Sequence, residues 1–257
     1  MKYRIQIGSL DSTVEAADDY AAVDAARESH VVPPEGGDFE IIVSALIHDH
    51  HGPSGRIGLF VMPATAEGLA ISDYARLGGG RACNIELSDV HLPEDALLGD
   101  GSDALPAIEW AVDCAMAALA AEAVGIMQTL LEITLEYTKI RKQFGRPLSA
   151  NQVIRHRLAD MAMQVDESRS MALRAALKAD SPPVERARAA SGAKAKIGKC
   201  ARFVAEQSVQ LHGAMGVTEE LDIGAYFKRL LAFDTLFGGS AHHYRRHAAL
   251  GGRAVQA

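Results

Sequence analysis

The tract Arg141-Lys142-Gln143-Phe144-Gly145 is the part of the sequence best suited to hold an anion. A guanidinium offers paired donors at fixed geometry, which suits the oxygens of a pyrophosphate. The same residues also suit an ordinary helix end, where cations meet the negative pole of the helix dipole and glycine stops the helix. A second tract, Gln210-Leu211-His212-Gly213-Ala214-Met215-Gly216, has small residues that either let backbone approach a ligand or simply terminate a helix. Histidines gather as His48-Asp49-His50-His51 and as His242-His243 with His247. The first group falls in a turn and the second lacks carboxylate or thiolate company, so no metal is expected. Gly78-Gly79-Gly80-Arg81 lacks the Gly-Lys-Ser/Thr of a phosphate loop and precedes a strand, so it reads as a turn.

The elements that must position these residues fall into two halves. Up to about Gly101 the chain reads as short strands at residues 39–47, 57–63 and 83–90, where polar and apolar residues alternate or apolar runs are short. Turn chemistry separates them at residues 33–37, 51–55 and 78–80. Residues 1–26 fit least well, although Ser12 followed by Glu15 could cap a helix through Arg27. After Asp103 the period becomes helical. A first helix is expected over about 105–140, with Ala118, Leu119, Ala121, Val124, Gly125, Met127, Leu130 and Leu131 on its apolar face. Further helices are expected over about 151–179 and 184–211, with a last helical pair over 223–250. The fold class is therefore α+β. A truncated small β-sheet domain at about 27–101 precedes a C-terminal antiparallel four-helix bundle at 102–257.

Composition removes several function classes. The chain has 257 residues, is 48% hydrophobic and carries a formal net charge of −7, with no long basic run. Nucleic acid is thus a poor partner. The longest uninterrupted apolar stretch, residues 115–121, is far shorter than the roughly 18 residues of a bilayer span, so no membrane span and a cytoplasmic location are expected. Cys83, Cys114 and Cys200 match neither a disulfide framework nor a zinc site.

Over about residues 29–250 the sequence resembles the acyl-CoA dehydrogenase family. The likeness is carried by Asn84-Ile85-Glu86-Leu87-Ser88-Asp89-Val90, Leu97-Leu98-Gly99, Ala121-Glu122-Ala123-Val124-Gly125, the Arg141 tract, Asn151-Gln152, Arg157-Leu158-Ala159-Asp160-Met161 and the Gln210 tract, all in order and at the right spacing. The resemblance implies FAD as cofactor, an acyl-CoA thioester as substrate and an electron-transfer acceptor. It further implies that Arg141, Gln143, Phe144, Asn151 and Gln152 reach across a dimer to the partner's flavin. Gln210, His212, Gly213 and Ala214 would form a second flavin contact.

The same resemblance exposes a gap. The family removes an α-proton with a glutamate placed at one of two positions, and these are Gly238 and Ala115 here. Neither can accept a proton. On the substrate side the pattern places Asp113, Met116 and Phe237, and Met116 stands where the family has an arginine. Substitute bases are Asp113, Glu122, Asp234 and His242, with Glu122 roughly 10 Å from Ala115 along the helix and His242 the least implausible. His30 and Val32 stand where the family has flavin-ring contacts, and the family's N-terminal helical domain and Gly-rich flavin tract have no counterpart. The pattern is similar to the small, glutamate-lacking subunits of heteromeric bacterial enzymes acting on steroid side chains or dicarboxylic acyl chains. The expected partner is a glutamate-bearing subunit in a homo- or hetero-oligomer. The rival expectation is a non-catalytic oligomerisation module that binds no flavin.

Overall fold

The structure is a computed structural model, and it describes residues 3–5, 40–49, 52–76, 80–218 and 220–253. The expected helix over 12–27, the turn at 33–37, His30, Val32 and Gly78-Gly79 lie outside the described residues. The chain divides into two compact units, residues 1–76 with 80–109, and residues 77–79 with 110–257.

The first unit is built of antiparallel pairs. Strands β2 (Glu40–Asp49) and β3 (Gly52–Pro63) form the longest, in register from Glu40 opposite Pro63 to Asp49 opposite Gly52, with an irregularity at Ile47/His48. Strand β4 (Leu69–Ala75) pairs with β5 (Arg81–Leu87), and β1 (Tyr3–Ile5) pairs with β6 (Val90–Leu92). Ile41, Phe60, Met62, Leu87, Val90 and Leu92 make a small core. Strand β4 escaped the sequence reading because it has one exposed face and a weak alternation. The single strand expected over 83–90 is two, broken where Asp89 turns the backbone at φ 55°.

The second unit is helical: α1 (Leu105–Ile140), α2 (Gln152–Leu177), α3 (Pro183–His212), α4 (Ile223–Thr235) and α5 (Ser240–Arg253). Helix α3 is the centre. Proline at its first position presets the backbone, and Gly213, at φ 61° and ψ −135°, ends it in a conformation open essentially to glycine alone. Its buried residues are mostly small, among them Ala189, Ala193, Ala201 and Ala205, so α2, α4 and α5 all pack closely against it.

Helix α1 is apolar nearly all round, and periodicity alone picks its core face only in part: Val124, Met127 and Leu130 are buried as expected and Leu119 and Leu131 pack against the core. Ala117, Ala120, Ala123, Val124, Met127 and Leu130 are buried, whereas Ala118, Ala121 and Gly125 are exposed. It also qualifies the expectation about membranes. An 18-residue window of this 36-residue helix reaches a mean hydropathy of 1.6, enough by length and composition to cross a bilayer. In this fold its buried side chains belong to the bundle core.

One close approach holds α3 against the α4–α5 corner. A Cβ at Gly198 would collide with Ser240 Oγ and Asp234 Oδ1, the pair in which Asp234 accepts hydrogen bonds from Ser240 Oγ (2.6 Å) and Ser240 N (3.3 Å) at the start of α5. Replacing Gly198 with valine is expected to destabilise the chain by about 2–3 kcal/mol through overpacking. Thermal unfolding followed by circular dichroism checks this, and a loss under 0.5 kcal/mol would contradict it.

Candidate functional site

The loop from Leu236 to Gly239 joins α4 to α5 and contains Gly238, one of the two positions where the resemblance puts the base. A buried lysine organises it. Lys194 on α3 is fully buried, and its Nζ donates to the carbonyls of Phe233 (2.6 Å), Asp234 (3.1 Å) and Gly238 (3.0 Å). Two of these are end-of-helix carbonyls of α4, where the dipole favours a cation. The ammonium also lies 4.6 Å from the Phe233 ring centroid. Burial pulls its pKa down to about 8, with the charge of Asp234 acting in the opposite direction.

A second line of hydrogen bonds holds the neighbouring carbonyl. His243, on the first turn of α5, is 1% exposed and donates from Nε2 to Phe237 O at 2.8 Å. Its Nδ1 then accepts from Ser191 Oγ at 3.3 Å, and Ser191 Oγ accepts from Arg246 Nη1 at 2.9 Å. Arg246 in turn donates to Asp113 Oδ1 at 2.9 Å, while Arg186 donates to Asp113 Oδ2 at 3.1 Å. The relay requires a neutral imidazole. Burial is the main cause that pulls the His243 pKa down to about 4, and the nearby Lys194, His242 and Arg246 push the same way.

This geometry redraws the substrate-side set. Asp113 is 1% exposed and bound by two arginines, so it is the anchor of a buried ionic cluster and no open proton acceptor. Met116 is also 1% exposed, in the interior, and Ala115 is half-buried. Glu122 is engaged by Arg229 through two hydrogen bonds of 2.7 and 2.8 Å. Asp234 is held by Ser240. Phe237 and Gly238 both have positive φ, 55° and 97°, and a Cβ at Gly238 would lie 2.9 Å from His242 Cδ2 and 3.4 Å from His243 Nε2. The imidazole of His242 therefore borders the space that a side chain at 238 would enter.

The anion-suited tracts lie at the other end of α1. After Ile140 the chain does not simply stop being helical. Lys142–Gln143 (β7) pairs with Arg146–Pro147 (β8) around a two-residue turn in which Phe144 (φ 52°) and Gly145 (φ 79°) both have positive φ, the signature of a type I′ hairpin. Phe144 at its tip is 100% exposed, and Arg141 and Gln143 are exposed beside it. Asn151 is half-buried, accepting from Arg146 and donating to Leu148 O, and Gln152 is exposed. The ends of α1 and α3 are joined by Tyr137, whose ring stacks on His212 at 4.3 Å and whose hydroxyl donates to His212 O at 3.3 Å. The structure thus brings the Arg141 and Gln210 tracts to the same end of the bundle. Gln210, Gly213 and Ala214 are exposed there. His212 corrects the sequence reading: it is 3% exposed, packed under Tyr137 with Nδ1 on Ser208 O and Nε2 buried without a partner, and burial pulls its pKa down. Its side chain is internal and does not present itself to a ligand. Among the described residues no group of three His, Cys, Asp or Glu could hold a metal.

Comparison with known proteins decides the family. Residues 105–249 match the profile described as "Acyl-CoA dehydrogenase, C-terminal domain". The chain belongs to the acyl-CoA dehydrogenase family. It is 36% identical over 187 residues to the probable acyl-CoA dehydrogenase YngJ of Bacillus subtilis, covering 71% of this chain and 49% of that one. Among solved structures it is similar to a variant of the Tcur3481-Tcur3483 steroid ACAD, with a TM-score of 0.71 and 30% identity over 85% of this chain and 56% of that one. It is also similar to the ChsE4-ChsE5 complex from Mycobacterium tuberculosis, with a TM-score of 0.68 and 25% identity over 82% of this chain and 54% of that one. The chain spans about half the length of the curated relatives it matches.

Sequence reasoning missed Lys194, Ser191 and Arg246 and weighed His243 only as a metal ligand, although these four residues fix the 236–239 loop. A signal existed: Ser191, Lys194, Gly198 and Ala201 follow a three-to-four spacing along the apolar stripe of α3, which makes Lys194 a cation on a face destined for the core. Two outcomes follow from the loop's geometry. Gly238→Glu is expected to cost about 2–4 kcal/mol, because a non-glycine at this φ is strained and its Cβ meets His242, and adding His242→Ala should restore at least about 1 kcal/mol. Equal losses in the single and double variants, measured by urea unfolding, would show that the ring is no obstacle. His243 sets a pH dependence. Its folded pKa near 4 lies below its ordinary 6.5, so between these values the unfolded chain takes up a proton that the folded chain refuses. Stability is then lost as pH falls from 6.5 to 4, by about 3 kcal/mol for this group. The slope over that window should flatten in His243→Gln.

Proposed function

We propose that this chain is the member of a flavin-dependent acyl-CoA dehydrogenase assembly that completes the cofactor site without abstracting the proton. One observation carries this reading: Ala115, in the N-terminal third of α1, and Ile140, at its C-terminal end, are 25 residues and about 38 Å apart. The base positions and the anion-suited hairpin of one copy therefore cannot line the same cofactor. Each set has to meet a group that another chain helps to hold.

The exposed end of the bundle has the chemistry for the polar part of FAD. Arg141 is exposed and has no ion-pair partner among the described residues, so its guanidinium is available for a pyrophosphate. Gln143 adds a donor and acceptor. Phe144, held at positive φ on a two-residue turn, presents its whole ring to solvent, and strain of this kind on a protruding residue favours a binding role over a packing one. Gln210, Gly213 and Ala214 offer side-chain and close backbone contact from α3. FAD, when bound, accepts the hydride that leaves the β-carbon of the acyl thioester. The chain's own residues orient the dinucleotide and exclude water; the α-proton goes to a glutamate of the partner subunit, since Gly238 and Ala115 hold none. Likeness to a steroid ACAD and to the ChsE4-ChsE5 complex favours a two-chain assembly of this type by analogy, and the same likeness supports an acyl-CoA thioester, such as that of a steroid side chain, as the substrate.

Coexpression with a glutamate-bearing acyl-CoA dehydrogenase chain should yield a flavin-loaded complex, whereas this chain alone should turn over no acyl-CoA with an artificial electron acceptor. Within the complex, Arg141→Ala should weaken flavin retention by about 2 kcal/mol or more without loss of helicity. Unchanged flavin absorbance and activity would reduce Arg141 to a helix-end cation. The non-catalytic oligomerisation module would then be the better account.

A further inference from the structure

Helix α3 has a second use, on the side opposite the Lys194 stripe. Between α2 and α5 it floors an open groove of about 510 Å³, a size typical of small-molecule sites. The groove exists because position 192 is glycine. A Cβ there would lie 3.1 Å from His247 Nδ1 and 3.5 Å from Met171 Cε, so any larger residue would fill the floor between the two walls. Ala195 continues that floor with a second small side chain.

The walls combine an apolar strip with one uncompensated cation. Met171 on α2 and the ring of Tyr244 on α5 supply the strip, and Tyr244 is held by Lys199, whose Nζ sits 4.6 Å from the ring centroid. His247 is fixed as part of the wall because its Nδ1 donates to Arg188 O at 2.9 Å. Two of the charges cancel, Lys196 on Glu167 at 2.6 Å. Arg174 is left in the last turns of α2 with no ion-pair partner among the described residues.

We propose that this groove binds an amphipathic monoanion, its apolar body against Met171 and Tyr244 and its anionic head on Arg174. The chemistry of the walls sets both halves of that description: the Met171 side chain and the face of the Tyr244 ring take a hydrocarbon, and the Arg174 guanidinium takes a carboxylate oxygen pair, while Ser170 already donates to Asp166 O. The head is the carboxylate of a free fatty acid; in an acyl-CoA thioester the phosphates carry several charges and lie a whole pantetheine arm away from the acyl chain. The site is separate from the hairpin at the end of α1, so it stands or falls independently of the cofactor role proposed above.

Titration calorimetry of the full chain with decanoate, decanoyl-CoA and decan-1-ol, all below their critical micelle concentrations, tests it. Decanoate is expected to bind at least tenfold more tightly than decanol, and Arg174→Gln should remove that advantage while leaving decanol unchanged. Arg174 is exposed, so this variant should fold; Gly192→Leu, which fills the floor, should abolish binding of all three. Decanoyl-CoA that bound as tightly as decanoate and with the same dependence on Arg174 would contradict the assignment to a monoanion; weaker binding indifferent to Arg174 supports the free acid. No measurable decanoate binding, or binding indifferent to both substitutions, would overturn the proposal.

Discussion

The ammonium of Lys194 is the contact on which the rest of the helical unit depends. Placing a cation in a core is costly unless its donors are used, and all three are used here, on carbonyls that helix α4 and the following loop could not otherwise satisfy. One side chain from α3 thereby fixes where α4 ends, how residues 236–239 turn and where α5 can begin. Asp234 and Ser240 close the same corner from the other side, and Gly198 leaves them room. The relay from Asp113 through Arg246, Ser191 and His243 to Phe237 O adds a second, independently anchored hold on that loop. Polar groups inside the bundle are thus concentrated around a segment that carries no proton acceptor of its own at Gly238.

That arrangement gives the loop a definite character. At Gly238 the backbone adopts a φ that penalises every side chain, and His242 borders the space beyond. The opposite end of the bundle shows the reverse economy. There the Arg141 hairpin is short, tightly turned and outward-facing, with exposed Phe144, Arg141 and Gln143 left unused by the chain itself. A tightly hydrogen-bonded, half-buried loop at one end thus contrasts with an open, exposed hairpin at the other.

How far the sequence could be read follows from which signals are local. The three long helices were legible with nearly the right ends, because the Arg141 tract, the Ser181-Pro182-Pro183 run and Gly213 are punctuation with a physical cause at each end. The family followed from the same tracts. Strand β4 was not legible, since only its pairing with β5 reveals it. The buried face of α1 was legible only in part: Val124, Met127 and Leu130 were placed correctly, whereas Ala118, Ala121 and Gly125 were not, because a helix apolar on every side has no preferred row until its neighbours are known. In the site, exposure separated residues that spacing could not: Arg141 and Gln210 face out, whereas His212, from the same tract as Gln210, lies under Tyr137. Asp113 looked like a candidate base because its two arginines come from 73 and 133 residues away.

The apolar girth of α1 also matters to how the chain is made. The helix is complete in the nascent polypeptide at Ile140, but α3, which contributes many of the buried residues of the core they share, ends only at His212. At ribosomal speeds of about 5–20 residues per second the interval lasts roughly 4 to 15 seconds. During that time a segment with bilayer-like hydropathy emerges without its cover. Holdase chaperones, and the machinery that scans emerging chains for hydrophobic helices, therefore compete with α3 for the same surface. The rate at which α3 is delivered becomes a determinant of yield that no contact in the finished fold records.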